Sequence, residues 1–348
     1  MKFHIDADTG DAIWGWILPD DPAETPAVEA LAPGRAPVLV AASLPKRELA
    51  DKGQRDRGLF GFRIDERAFP GLAGEPDIEL RYAASGERLY RRVSSAERVN
   101  AKAALFDIAL LPQKRMIARL DGMFASRHDN AEAMSAETMT RVVKSLHTRS
   151  IMITGRPSFV AHGSNMKANG YAVFALLRPP FEELAERLLF LKLVAGSRNG
   201  ATLMPLAHGV ELLVEFARVF PFNDARAMDR AFRQAQPGHK NLLRDPLTRV
   251  FGCGADEKPG RIGVTRALEN LASLDVVGTR AEFPAFKRMV ADLAGVDIFG
   301  DCEIETSPKV AELADWLSCV GGAQNLLEND LKLYAFVEEA VADGLAAA

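Results

Sequence analysis

A short apolar run in the middle of the chain ends on an arginine and two prolines. Residues 171–177 are apolar enough to form a buried parallel strand, and Arg178, Pro179 and Pro180 follow at once. Beyond Pro180 the apolar side chains recur at helical spacing, which predicts a helix with proline in its first turn. This order places a cation at the carboxyl edge of a parallel sheet, where α/β proteins bind ligands, and so predicts recognition of an anion.

Strand-like and helical segments alternate through the last two thirds of the chain. We predict further strands at residues 150–155 and 273–279, and we predict that residues 103–146 are mostly helical. Residues 245–254 are interpreted as a turn-rich loop. This alternation predicts an α/β domain over residues 96–348, with a parallel sheet and helices on both faces.

Residues 1–95 have a different pattern, in which turn residues recur at short intervals. The strand-like segments between the turns include residues 13–17, 38–41, 60–64 and 78–82. This spacing predicts a small all-β, sandwich-like domain. Trp14 and Trp16 fall on one face of the first segment, where they form either a sugar-stacking pair or part of the sandwich core.

Composition narrows the function classes. The 348 residues carry a net charge of −4, which argues against a generic nucleic-acid binder. Cys253, Cys302 and Cys319 lack the spacing of a disulfide framework or a zinc site, and we find no other metal-ligand spacing. The first residues lack a signal-peptide pattern, and no apolar stretch reaches the roughly 18 residues of a transmembrane segment. We therefore expect a cytoplasmic protein, at most peripheral to the inner membrane.

Four short segments occur in the order found in one enzyme family. They are Leu-Leu-Arg-Pro-Pro at 176–180, Asp-Pro-Leu-Thr-Arg at 245–249, residues 268–278, and Asp-Leu-Lys-Leu-Tyr at 330–334. Together they resemble the second large family of sulfotransferases, bacterial relatives of enzymes that sulfate polysaccharides, over residues 103–341. The resemblance implies a P-loop-like α/β fold, the donor 3′-phosphoadenosine 5′-phosphosulfate and a sugar hydroxyl as the acceptor.

The N-terminal region carries a second resemblance. Gly-Trp at 15–16, Lys-Arg-Glu-Leu at 46–49 and Gly-Phe at 61–62 are similar to motifs of small β modules attached to bacterial surface-polysaccharide glycosyltransferases. If the protein is a non-catalytic binder, we expect this module to contribute to recognition of its partner, a glycan or a glycan-assembly enzyme.

The donor's phosphosulfate needs a glycine-rich turn with a lysine and a hydroxyl. In the sulfotransferase family this turn follows the first strand, and the matching residues here, 104–115, offer Lys114 and Arg115 but no glycine or hydroxyl. A side chain in such a turn obstructs the approach of the phosphate to the backbone. The sequence therefore predicts a degenerate phosphosulfate site.

The donor's 3′-phosphate is held in the family by an arginine after the strand, which Arg178 matches. Glu183 and Glu186 stand where the family has a second arginine and a serine. A carboxylate at about 4 Å from a phosphate costs on the order of 4 kcal/mol at an effective dielectric constant of 20. Arg178 therefore either binds phosphate or forms a salt bridge with Glu182 or Glu183 at the start of the helix.

The acceptor hydroxyl needs a general base, and the family's candidate histidine is replaced here by Arg156, which cannot deprotonate. His162, which we place in a polar loop, is the candidate substitute. Thr248 and Arg249 match a family loop that lies near donor and acceptor.

Three functions remain open. The first is a transferase with an altered donor site that acts on a cell-surface glycan. The second is a non-catalytic relative that binds a glycan or a glycan-assembly enzyme. The third is a protein that binds a different anionic nucleotide through Arg178, Arg249 and Arg280. Our leading expectation is a sulfotransferase-like protein of cell-surface glycan biosynthesis or modification with a degenerate donor site, and whether it is an enzyme stays open.

Overall fold

The structure is a computed structural model, and it describes residues 1–19, 21, 24–46, 58–86, 88–93, 99–110, 114–144, 149–197, 209–304 and 306–347. The predicted domain boundary at residues 95 and 96 falls within 94–98, outside the described residues. No helix in these ranges is both long enough and apolar enough to cross a membrane.

The N-terminal region forms two antiparallel sheets of four strands each. Their spatial orders are β1-β2-β6-β5 and β4-β3-β7-β8. The strands are β1 Lys2–Asp8, β2 Ala12–Leu18, β3 Ala27–Leu31, β4 Val38–Ala41, β5 Leu44–Pro45, β6 Leu59–Asp65, β7 Asp77–Tyr82 and β8 Arg88–Val93. Apolar side chains of both sheets, such as Ile13, Val28 and Leu80, pack into one core. All four predicted strand segments are confirmed.

The rest of the chain is built on a parallel sheet of five strands. They are β9 Lys102–Asp107, β10 Ser126–His128, β11 Ile151–Gly155, β12 Tyr171–Leu177 and β13 Val276–Thr279. Their spatial order is β10-β11-β9-β12-β13, and all neighbouring pairs are parallel. Side chains of β9 alternate between the two faces, since Ala104 and Phe106 pack on one face and Ala103 and Leu105 on the other. The central strand is therefore buried on both sides.

Helices cover both faces of this sheet, as predicted. The helices are α1 Lys114–Met123, α2 Ala136–Val143, α3 Phe159–Ala168, α4 Pro180–Gly196, α5 Leu213–Val219, α6 Ala225–Gln234, α7 Pro237–Leu243, α8 Pro246–Gly252, α9 Arg261–Ala272, α10 Phe283–Ala294, α11 Pro308–Ser318, α12 Gly321–Leu326 and α13 Glu328–Ala347. Apolar side chains of α2, α3, α8, α9 and α13 pack on one face, and those of α1 and α10 pack on the other. Helices α4 to α7, α11 and α12 share a further apolar cluster beside the sheet.

The sequence-based predictions for residues 103–146 and 245–254 were wrong. Residues 103–146, predicted to be mostly helical, contain the central strand β9 and the short strand β10 as well as α1 and α2. Residues 245–254, predicted to be a loop, contain helix α8, whose first turn holds Pro246. A short apolar run cannot be assigned to strand or helix by periodicity alone, and β9 is such a run.

The strand order creates a topological switch point between β9 and β12. The chain leaves β9 towards β10 on one side of the sheet, whereas it leaves β12 towards β13 on the other. Connections that diverge in this way open a crevice at the carboxyl ends of the two strands, which is the usual ligand site of open α/β sheets. The ends concerned are Asp107 and Leu177.

Candidate functional site

Arg178 lies at the switch point, directly after β12, and is 1% exposed. Its Nη1 donates a hydrogen bond to Glu186 Oε1 at 2.9 Å, and its Nε lies 3.5 Å from Asp107 Oδ1 at the end of β9. Its Nη2 has no hydrogen-bond partner among the described residues. The guanidinium is thus held between a carboxylate of the neighbouring strand and a carboxylate of the helix that follows it.

Arg280 enters the same cluster from the end of β13. Its backbone N–H donates to the carbonyl oxygen of Leu177 at 2.8 Å, which fixes it beside Arg178. Its Nη1 lies 3.6 Å from Glu182 Oε2 and 3.9 Å from Glu186 Oε2. We call Asp107, Arg178, Glu182, Glu186 and Arg280 the switch-point cluster.

Helix α4, which follows Arg178, carries a second buried ion pair. Arg187 donates from Nε and Nη2 to Glu183 Oε1, at 3.0 Å and 2.5 Å, and both side chains are 3% exposed. Arg178 therefore forms a salt bridge, as one of our two alternatives predicted, but with Glu186 and Asp107 in place of Glu182 or Glu183. Glu183 is engaged by Arg187, one turn further along α4.

Asp107 also accepts a hydrogen bond from the turn that follows β9. The backbone N–H of Ala109 donates to Asp107 Oδ1 at 3.0 Å. In a phosphate-binding turn such backbone groups are directed at the ligand's anion. Here the Asp107 carboxylate accepts the hydrogen bond from one such backbone group, the N–H of Ala109. Residues 111–113 and the side chains of Lys114 and Arg115 lie outside what the structure describes, so their predicted role in donor binding stays a prediction.

The charges of the switch-point cluster do not leave a net positive site. Three carboxylates face two guanidinium groups, which gives −1 when all are ionised. Burial raises the pKa of Glu186, although Arg178 and Arg280 oppose that shift. Burial acts to lower the pKa of Arg178, but Asp107 and Glu186 outweigh it and hold that pKa above its ordinary value. Burial, and then Arg178, lower the pKa of Arg280.

Arg156 follows β11 and is bound to the short 3₁₀ turn Ala131–Ala133. Its backbone N–H and its Nε donate to the two carboxylate oxygens of Glu132, each at 3.0 Å. Gly155 makes this approach possible, because a Cβ at that position would lie 2.7 Å from Ala131 N. The geometry gives Arg156 a structural role in the turn, whereas its predicted catalytic role stays a prediction.

His162 lies on helix α3, not in the polar loop that we predicted. Its side chain is half-buried, and burial lowers the pKa of the imidazole below its ordinary value. A neutral imidazole can accept a proton. The backbone N–H of His162 donates to Ser158 O within the first turn of the helix.

Thr248 and Arg249 lie on α8, the helix that replaces the predicted loop. The backbone N–H groups of Leu247 and Thr248 donate to Asp330 at 2.8 and 2.7 Å. Arg249 Nη2 donates to the backbone oxygen of Asn241 at 2.8 Å. The structure thus brings Arg178 and Arg280 together, and it binds Arg156, Thr248 and Arg249 to other groups.

Sequence reasoning missed Asp107, the carboxylate that β9 contributes to the switch-point cluster. A signal was present, because residues 103–106 form a short apolar run that ends on an aspartate. In the described residues no cluster of histidine, cysteine, aspartate and glutamate is arranged to hold a metal ion. No family model matches this chain, and no curated protein matches its sequence.

Proposed function

We propose that this chain is a sulfotransferase-like protein of cell-surface glycan biosynthesis or modification that acts by binding a glycan or a glycan-assembly enzyme, without transferring a sulfo group. The observation that carries the proposal is the buried arginine at the switch point. Arg178 is bound by Asp107 and Glu186 of its own chain at the place where a donor phosphate would have to bind.

The order of elements supports a P-loop-like scaffold. Strand β9 is central in the parallel sheet and leads through a short connection into α1. A strand, a loop and a helix N-terminus in this order form the phosphate site of P-loop proteins. This order supports the proposal of a P-loop-like scaffold, although the residues depart from the glycine-rich pattern of a phosphate-binding turn.

Electrostatics argue against a phosphate at this place. The net charge of −1 on the switch-point cluster would repel an incoming phosphate by on the order of 4 kcal/mol per unit charge at 4 Å and an effective dielectric constant of 20. That repulsion is about half of the roughly 8 kcal/mol of a micromolar affinity. Nε and Nη2 of Arg178 form no hydrogen bond with a described residue, but the side chain is only 1% exposed. The same repulsion weighs against binding of another anionic nucleotide by Arg178 and Arg280.

Adenosine 3′,5′-bisphosphate, the end product of sulfo transfer, tests the proposal. We expect that a millimolar concentration leaves the unfolding midpoint of the wild-type protein unchanged, whereas a ligand at a hundred times its Kd would stabilise the fold by about 2.7 kcal/mol. A midpoint raised by several degrees in the wild type would overturn the proposal.

A matched variant tests the electrostatic reason. Asp107→Asn combined with Glu186→Gln keeps the shape of the cluster but removes two negative charges. We expect this variant to gain a midpoint shift with adenosine 3′,5′-bisphosphate that the wild type lacks. If the neutralised variant gains none, the carboxylates are not what excludes the nucleotide.

A further inference from the structure

An open groove of about 1030 Å³ lies between α4 and α11, next to the switch-point cluster. Glu186 forms one end of it and also belongs to the cluster. Thr306 Oγ1 donates to Glu182 Oε2 at 3.1 Å, so the two helices begin side by side. The groove is therefore a surface continuation of the candidate site.

The groove is mainly apolar. Leu189, Phe190, Val310 and Leu313 line it, and the side chains of Leu193 and Trp316 are 57% and 42% exposed beside them. Exposed apolar side chains that are contiguous with an apolar floor mark an interaction surface more often than a solvated one. An oligosaccharide would leave the aliphatic side chains of this floor without apolar partners. The surface favours a ligand with apolar side chains of its own.

The dimensions of the groove fit a helix. Its lining on α4 runs from Glu186 to Gly196, which is about 15 Å along the helix axis at 1.5 Å per residue. About three turns of a second helix match that length, with apolar residues at positions i, i+3, i+4 and i+7 facing the floor. Recognition of an amphipathic helix in an apolar groove is a recurring mode of peptide binding.

The rim of the groove is more basic than acidic. Lys192 and Lys309 are exposed and form no ion pair with a described carboxylate. Lys192 Nζ lies 4.1 Å from the ring centroid of Phe222, which keeps the ammonium group at the rim. Glu312 is exposed on the same rim, and Glu186 at the inner end is bound by Arg178. The exposed rim carries two positive charges against one negative charge.

We propose that this groove receives an amphipathic helix of a partner protein, with leucine-like side chains on one face and aspartate or glutamate beside them. The inference rests on the proposed non-catalytic function, and it specifies the kind of partner that the protein binds. Lys192 and Lys309 pair with the acidic residues of the partner, and Trp316 and Leu193 cover its apolar face.

Random peptides of three to four helical turns, displayed on phage and selected on the full-length protein, test the inference. We expect enrichment of sequences with apolar residues at helical spacing and a negative net charge. Leu193→Ala combined with Trp316→Ala should weaken the enriched peptides by about tenfold or more. Both side chains are largely exposed, so the variant should stay folded, with an unfolding midpoint only slightly below that of the wild type.

Charge reversal at the rim distinguishes specific peptide binding from non-specific hydrophobic binding. Lys192→Glu combined with Lys309→Glu should weaken the acidic peptides and strengthen copies in which lysine replaces each acidic residue. Failure of any helical pattern to be enriched, or equal binding to wild type and variants, would overturn the inference. Binding of a heparin hexasaccharide that depends on both lysines, with no peptide enriched, would assign the groove to a glycan instead.

The two proposals can fail separately. Stabilisation of the wild-type protein by the nucleotide would contradict the proposed function, whatever the result of the peptide selection. An unchanged midpoint with nucleotide, together with no enriched peptide, removes the groove inference and leaves the proposed function standing.

Discussion

A fully buried arginine needs partners, and their identity separates a structural site from a ligand site. The charge of Arg178 is compensated inside the chain by Asp107 and Glu186. Replacing one member of a buried ion pair costs more than the pair itself contributes, because the other charge is left without compensation. A ligand-binding arginine is in contrast left exposed towards its ligand. The internal pairing of Arg178 therefore favours a structural role for this side chain over binding of a donor phosphate.

A second group of buried charges predicts a pH dependence. The Asp330 carboxylate accepts hydrogen bonds from backbone N–H groups in the first turn of α8. The Asp245 carboxylate, just before α8, accepts hydrogen bonds from the backbone N–H groups of Asn329 and Asp330 at the start of α13. Each aspartate therefore caps the helix next to the other aspartate. Burial, and then the Asp245 carboxylate, raise the pKa of Asp330 from 3.8 to about 7. A carboxyl group whose pKa is raised on folding binds more protons in the folded state. Its contribution to stability is present below pH 3.8 and is lost as the pH rises through about 7.

We expect the free energy of unfolding to contain a term from Asp330 that falls as the pH rises between 4 and 7, by up to about 1.4 kcal/mol per pH unit. Urea unfolding at several pH values measures it. Asp330→Asn removes the ionisable group, so the difference in slope between the two proteins isolates this term. Parallel curves for wild type and variant would show that Asp330 keeps an ordinary pKa on folding.

The chain turns at the end of β11 on a glycine, Gly155. Gly155 has a φ of 133°, and an added Cβ would lie 2.5 Å from Glu132 Oε2 and 2.7 Å from the backbone nitrogen of Ala131. Gly170 also has a positive φ, 75°, but an added Cβ there meets no atom within 4 Å. Alanine at Gly170 would introduce backbone strain alone, whereas alanine at Gly155 would introduce backbone strain and a steric clash.

Gly155→Ala should destabilise the protein by about 3 kcal/mol or more, because strain and overpacking act together. Gly170→Ala should cost about 1–2 kcal/mol from the left-handed backbone alone. Chemical unfolding of both variants measures the difference. Equal losses would mean that Glu132 and the 3₁₀ turn move away at little cost, and that the Arg156–Glu132 contact is not fixed.

The element that sequence predicted best is the one around Arg178. An apolar run, two prolines and a helical repeat are local signals, and they correctly gave β12 and the start of α4. The partners of Arg178 could not be predicted in the same way. Asp107 precedes it by many residues and becomes its neighbour only through the pairing of β9 with β12. A helical interpretation of residues 103–146 leaves no strand β9, so it cannot predict the pairing of β9 with β12.

Helix α8 shows a second reason for error. Residues 245–254 contain proline, glycine and aspartate, which locally favour a turn. The helix forms because Asp330, distant in sequence, accepts hydrogen bonds from its first N–H groups. A cap supplied by tertiary structure leaves no local signal.

Trp16 is one of the residues at which the β domain and the α/β domain are in contact. Its side chain is 3% exposed and packs with Leu18 and Phe60, apart from the main sandwich core. The guanidinium of Arg141 on α2 lies 4.8 Å from its ring centroid. Of our two alternatives for Trp16, its burial with Leu18 and Phe60 favours the core position over sugar stacking, and this position borders the α/β domain. Trp14 is half-buried and faces Arg63 of its own sheet.

Trp16→Ala should destabilise the protein by about 3–5 kcal/mol and separate its thermal unfolding into two transitions, since the domains lose a shared contact. Trp14→Ala is the matched control on the same strand, and it should cost about 1 kcal/mol with a single transition retained. Scanning calorimetry distinguishes these results. A single transition in the Trp16 variant would show that other contacts couple the domains.

The most direct test of the internally occupied switch point is the free energy of unfolding of Arg178→Met, measured beside Arg226→Met, which replaces an exposed arginine of α6. We predict that Arg178→Met loses about 3–5 kcal/mol, because Asp107 and Glu186 are left buried without their cation. Arg226→Met should change stability by less than about 0.5 kcal/mol. An Arg178→Met protein as stable as the wild type, or more stable, would contradict the account and show that Arg178 is reserved for a ligand.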